Sequence, residues 1–67
     1  MKLSPKEHQI LVLLSEDKTV KQIADLFNRS TFTIQAQIRN AKLKLGVSTS
    51  HGAVAKILQQ DAIHNNP

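Results

Sequence analysis

Gln35, Ala36 and Arg39 carry three complementary chemistries within little more than one helical turn, and on a helix such spacing puts them on one broad face. A glutamine amide can pair with N6 and N7 of adenine, and a guanidinium fork with O6 and N7 of guanine. A methyl-sized side chain can meet the methyl group of thymine. The hydroxyls of Ser30, Thr31 and Thr33 come just before them and suit contacts to phosphate oxygens, and Lys42 and Lys44 follow with positive charge for phosphate contacts of their own. The stretch between Arg29 and Arg39 is free of charge, so a helix end built from it can approach base edges and backbone without a bulky ion in the way. Against this stands the ordinary role of Arg and Lys on a helix, which is to solvate an outer face.

The elements that must position these residues are marked by their punctuation. Ser4-Pro5-Lys6-Glu7 supplies a cap, a proline in the first turn and a returning carboxylate, and Ile10, Leu11, Leu13 and Leu14 follow as the apolar stripe of a first helix ending near residues 15 to 17. Thr19 with Gln22 repeats the capping pattern ahead of Ile23, Ala24 and Phe27. Asn28 is suited to a left-handed stop, and Ser30 can cap a third helix only three residues after Phe27, which makes a tight helix-turn-helix connection. At about 100° per residue, Ile34, Ile38, Ala41 and Leu45 fall in one narrow sector as the buried seam of that third helix. Phe32, Gln35, Ala36, Arg39 and Leu43 then point outward, with Lys42 and Lys44 flanking the seam on opposite sides. Gly46 ends the helix. Thr49 or Ser50 can cap a fourth, carrying Ala53, Val54, Ile57 and Leu58, with Gly52 as its weak point. The fold class expected is all-α with four helices, a single domain over residues 1–63 and a frayed tail over 64–67.

Composition narrows the functions available. A chain of 67 residues with 40% hydrophobic content holds one thin core. Its formal net charge of +4 favours a polyanionic partner. Without cysteine there is no disulfide, thiolate nucleophile or Cys-rich zinc site, and a cytoplasmic setting is permitted. His8, His51 and His64 lack metal-ligand spacing, and the approach of Asp61 to His64 falls in the tail, so no metal or other cofactor is expected. No nucleophile elbow accompanies the Ser, His and Asp residues, so no catalytic residue is assigned and the chain is not read as an enzyme. The apolar run of residues 10–14 is far too short to span a bilayer, and the aromatic anchors of a membrane-surface helix are lacking.

The runs L3-S-P-K-E7, E16-D-K-T-V-K-Q-I-A24, S30-T-F-T-I34 and above all N40-A-K-L-K-L-G-V47 followed by A53-V-A-K56 resemble the LuxR/GerE-type helix-turn-helix family. The likeness is ungapped from Leu3 to Ile63, and Lys18-Thr19, Asn40-Ala41 and Ala53 to Lys56 are most similar to its quorum-sensing branch. The resemblance implies a DNA-binding domain of a bacterial transcription regulator, with the second and third helices forming the DNA-binding unit and the fourth mediating dimerisation. It implies base contacts from Gln35, Ala36 and Arg39, the residues the face pattern also selects, phosphate contacts from Thr33 and Lys21, and a dimer interface involving Ala53, Ile57, Gln60 and Ile63.

Several positions depart from the family pattern. Gln35 and Gln37 stand where members carry Lys and His, so the base preference of other members does not carry over. Asp17 replaces a usual Gly between the first two helices, a strained choice if that residue has positive φ. Val12 and Leu43 are apolar where members are polar, and with Phe32 they raise a protein-binding patch if the three are contiguous. Two functions are therefore weighed. One is a sequence-specific module for double-stranded DNA, acting as a homodimer. The other is an interaction protein that pairs through its fourth helix with another LuxR-type regulator, RNA polymerase being a further candidate partner. The sensed signal, the operator and the direction of regulation leave no mark on these residues.

Overall fold

Each of the four helices opens on a hydroxyl side chain that accepts a backbone N–H three residues ahead. The computed structural model describes residues 2–65, with side chains through Gln59. Helix α1 spans Pro5–Ser15, α2 Val20–Phe27, α3 Thr31–Leu45 and α4 Ser50–Asn65, and no strand occurs among the described residues. Ser4 and Thr19 each form a full capping box: Ser4 Oγ accepts from the Glu7 N–H while Glu7 Oε1 accepts from the Ser4 N–H, and Thr19 and Gln22 do the same. Ser30 caps α3 by accepting the Thr33 N–H at 3.1 Å. At α4, Thr49 Oγ1 accepts the Gly52 N–H at 2.9 Å.

The first three helices close with one geometry. Asp17, Asn28 and Gly46 all have left-handed φ, at 67°, 54° and 71°. In each case the following N–H reaches back five residues, Lys18 to Leu13, Arg29 to Ala24 and Val47 to Lys42, which satisfies carbonyls the helix would otherwise leave open. The positive φ on which the anticipated strain at Asp17 depended is therefore present, and a residue with a Cβ occupies a conformation glycine adopts without cost. Gly52 lies in the first turn of α4, close to its cap. A Cβ there would lie 3.1 Å from Thr49 Oγ1 and 3.4 Å from Val47 Cβ, so the missing side chain makes room for the cap and for the chain that leads into it.

Two apolar clusters share α1 and α3. Ile10, Ile23, Ala24, Ile34 and Ile38 form one, with Leu13, Leu14, Val20 and Phe27 packed against it, and it joins α1 to the helix-turn-helix of α2 and α3. Leu11, Ala41, Ala53 and Ile57 form the other with Leu3, Val12, Leu14, Leu45, Val47 and Val54, joining α1 and the later half of α3 to α4. The third helix is thus gripped near its start by one cluster and near its end by the other. Ile10, Leu11, Ile23, Ile34 and Ile57 are fully buried, each contributing about 1.5–3 kcal/mol of transfer free energy. Lys6 lies over the Phe27 ring at 4.3 Å, a further tie between α1 and α2.

The helical backbone of α4 continues through residues 64 and 65.

Candidate nucleic-acid interface

Packing of the Ile34, Ile38 and Ala41 seam dictates what α3 shows to solvent. With that seam buried, Gln35 and Arg39 are exposed and Ala36 is half-exposed beside them. The structure therefore places all three predicted base-reading residues on the outer side of one helix. Ser30 and Thr31 are exposed at its N-terminal end, and Thr33 is half-buried. The Ser30 and Thr33 hydroxyls lie 3.0 Å apart. When Ser30 donates across that contact, the Thr33 hydrogen is left for an outside acceptor. The geometry of a helix start also leaves the N–H groups of Thr31 and Phe32 without intrahelical partners, and they point outward along the axis with the positive end of the helix dipole.

The lysines divide. Lys21 is exposed on the first turn of α2, and Lys42 is half-exposed on α3. Lys44 is engaged inside the domain, its ammonium donating to Glu7 Oε1 at 2.8 Å across 37 residues of sequence. The same carboxylate oxygen accepts from the Ser4 N–H, so one atom fastens the start of α1 to the end of α3. Burial by itself raises the Glu7 pKa, but the hydrogen bond and charge of Lys44 together with the Ser4 bonds outweigh it and hold the carboxyl below its ordinary value. Arg29, which the pattern of base-reading residues did not select, is exposed in the turn immediately before the Ser30 cap.

The fourth helix requires a correction. Ala53 and Ile57, expected at a dimer interface, are 0% and 1% exposed and belong to the cluster shared with Leu11 and Ala41, so they are consumed by the domain's own core. The apolar spacing used to place them marks whichever face packs, and here that face packs inward. Gln60 and Ile63 lie outside the residues whose side chains are described. On the outer side of α4, Leu58 is 52% exposed, and with Leu14, Ser50, His51 and Val54 it lines a shallow groove against the end of α1. Val12 is likewise drawn against the second cluster, and Phe32 and Leu43 are separated by eleven positions of α3, about 16 Å of rise. These three apolar residues do not make a contiguous patch. Among the described residues no group of three metal-ligating side chains comes together, and no helix is long and apolar enough to cross a membrane.

A short helix α2, a tight left-handed turn at Asn28 and a longer capped helix α3 with its polar face outward define a helix-turn-helix domain of the DNA-binding class. Residues 1–57 match the model of the bacterial regulatory proteins of the luxR family, and the chain belongs to that family of transcription regulators. It is 33% identical over 63 residues to the transcriptional activator protein CarR of Pectobacterium carotovorum subsp. carotovorum, an alignment covering 94% of this chain and 26% of CarR. It is 48% identical over 46 residues to the transcriptional regulatory protein RcsB of Escherichia coli K12 and of Salmonella typhimurium, covering 69% of this chain and 21% of RcsB. The chain thus spans about a quarter or less of the length of these relatives. No solved structure gives a significant match.

Proposed function

We propose that the domain binds double-stranded DNA sequence-specifically by seating the N-terminal half of α3 in the major groove. The observation that carries this reading is the outward presentation of Gln35, Ala36 and Arg39 on a helix whose two halves are fixed by separate core clusters. Rigid placement matters because bidentate readout depends on geometry, and a side chain on a loosely held helix would spend its interaction energy on ordering. Gln35 and Arg39 donate and accept at base edges and Ala36 contributes an apolar edge. Lys21, Lys42, Ser30, Thr31 and Thr33 hold the backbone, with Arg29 beside them. Lys44 acts through Glu7 to position α3.

Two copies pair through the outer side of α4, where Leu58 and Val54 supply the apolar surface in place of the buried Ala53 and Ile57. Two-fold pairing puts the half-site centres about 10 to 10.5 bp apart, one turn of the duplex. The same surface is open to the corresponding helix of another member of the family. The likeness to regulators named as an activator and a regulatory protein supports a role in bacterial transcription control.

Fluorescence-anisotropy titration of a labelled duplex at several salt concentrations tests the reading. A steep fall of log K with log salt is expected from counterion release. Arg39→Ala should cost about 1–3 kcal/mol on the preferred site and relax selectivity at one base pair, whereas Lys21→Ala should weaken all sequences alike. Equal losses for Arg39→Ala on preferred and scrambled duplexes would remove Arg39 from base reading, and no binding at low salt would overturn the proposal.

A further inference from the structure

Phe32 occupies the middle of the proposed reading face of α3. It is 74% exposed, the most exposed of the large hydrophobic side chains among the described residues. It precedes Gln35 by three residues and Ala36 by four, which puts it one turn nearer the N-terminus on the same side of α3. At about 100° per residue its direction from the axis falls between those of Arg39 and Ala36. Neither Lys nor Arg, Asp nor Glu occurs from Ser30 to Ile38, so this end of the helix meets its partner through hydrogen bonds and apolar contact alone.

We propose that Phe32 is a specificity-determining residue whose ring packs on the C5-methyl group of a thymine, next to the bases met by Gln35 and Ala36. A hydrocarbon ring has no use for a phosphate oxygen, and its exposure shows that the domain itself does not cover it. In the major groove the thymine methyl is the apolar feature of the base edges, and Phe is among the side chains whose shape suits it. The preference that results is for a T·A pair of one orientation, because only one strand of that pair carries the methyl at the ring. This assignment rests on the DNA-binding reading above.

The test replaces each thymine of a preferred duplex, selected from a random library, by deoxyuridine, which removes the methyl and keeps the pairing. Wild-type affinity should fall about fourfold at one thymine position, the value of one buried methyl-sized group. In Phe32→Ala that fourfold penalty should vanish at the same position while any methyl contact of Ala36 persists. Because Phe32 is so exposed the variant should keep its far-UV circular dichroism, and the wild-type comparison needs no variant at all. Selective binding with no deoxyuridine effect at any thymine, or a full effect retained in Phe32→Ala, overturns this assignment and leaves the major-groove reading standing. Failure of the wild type to select any duplex overturns both.

Discussion

Removing the Lys44 ammonium should damage the fold rather than the contact with DNA. The ammonium lies 2.8 Å from Glu7 Oε1, with the side chains 27% and 8% exposed. A hydrogen bond to a charged group contributes about 1.5–3 kcal/mol net, and a fully exposed ion pair about 0–1 kcal/mol. The partial exposure of Lys44 places Lys44→Ala between these, at about 1–2 kcal/mol of destabilisation, because a buried carboxylate loses its cation. For a domain this small that lowers the melting temperature by roughly 5–15 °C.

Urea denaturation at pH 7 of wild type, Lys44→Ala, Glu7→Gln and the double variant isolates the pair as a coupling energy. The Glu7 carboxyl is held below its ordinary value of 4.5 in the folded state, so as pH falls the unfolded chain takes up the proton first. The contribution of the pair is therefore complete above that value and is lost as pH falls through the lowered native one, and the gap between wild type and Lys44→Ala should close on acidification. In DNA titrations Lys44→Ala should leave the salt slope unchanged, whereas Lys42→Ala should reduce it by about 1. Equal stabilities at pH 7, a stability gap that does not narrow in acid, or a salt slope lowered by Lys44→Ala would each refute the reasoning.

Asp17→Gly should stabilise the domain by about 0.5–1 kcal/mol, seen as a higher urea midpoint, because it relieves a left-handed residue with a side chain while leaving the turn's hydrogen bonds in place. Gly46→Ala should destabilise by about 1 kcal/mol although nothing lies within 4 Å of the added carbon, the whole effect being backbone strain. Ile34→Ala should cost about 2–5 kcal/mol and leave a population too unfolded to bind DNA at 37 °C, measurable by thermal melts. Leu58→Lys should leave the monomer fold intact and abolish pairing in sedimentation equilibrium; an unchanged dimer would move the interface off α4.

Local features of this fold were readable because they are decided within a few residues. Ser4, Thr19 and Ser30 cap helices by bonding three positions ahead, and Asn28 and Gly46 stop them by a single dihedral angle, so sequence alone placed these boundaries. The α3 seam was equally legible, since one sector can be buried only if the opposite one, with Gln35 and Arg39, is not. Relations across the chain were not readable. The α3 pattern sets Lys42 and Lys44 on opposite sides of the seam but says nothing of which side meets a carboxylate, and Glu7, 37 residues before Lys44, takes one and leaves the other. The fourth helix shows a different failure. Its periodicity identifies Ala53 and Ile57 as a packed face, but whether a face packs on its own chain or on a second copy is a property of the tertiary arrangement.

Small residues, Ala41 on α3 and Ala53 on α4, occupy the cluster where those two helices meet. Their size sets how near the two axes can lie. In the proposed dimer α4 faces the two-fold axis and α3 faces the duplex, so this separation enters twice into the distance between the reading helices. A bulkier side chain at either alanine would spread them, changing the length of operator that both halves can grip at once. The stride of the protein along DNA would thus be written in two methyl groups that touch neither a base nor a phosphate.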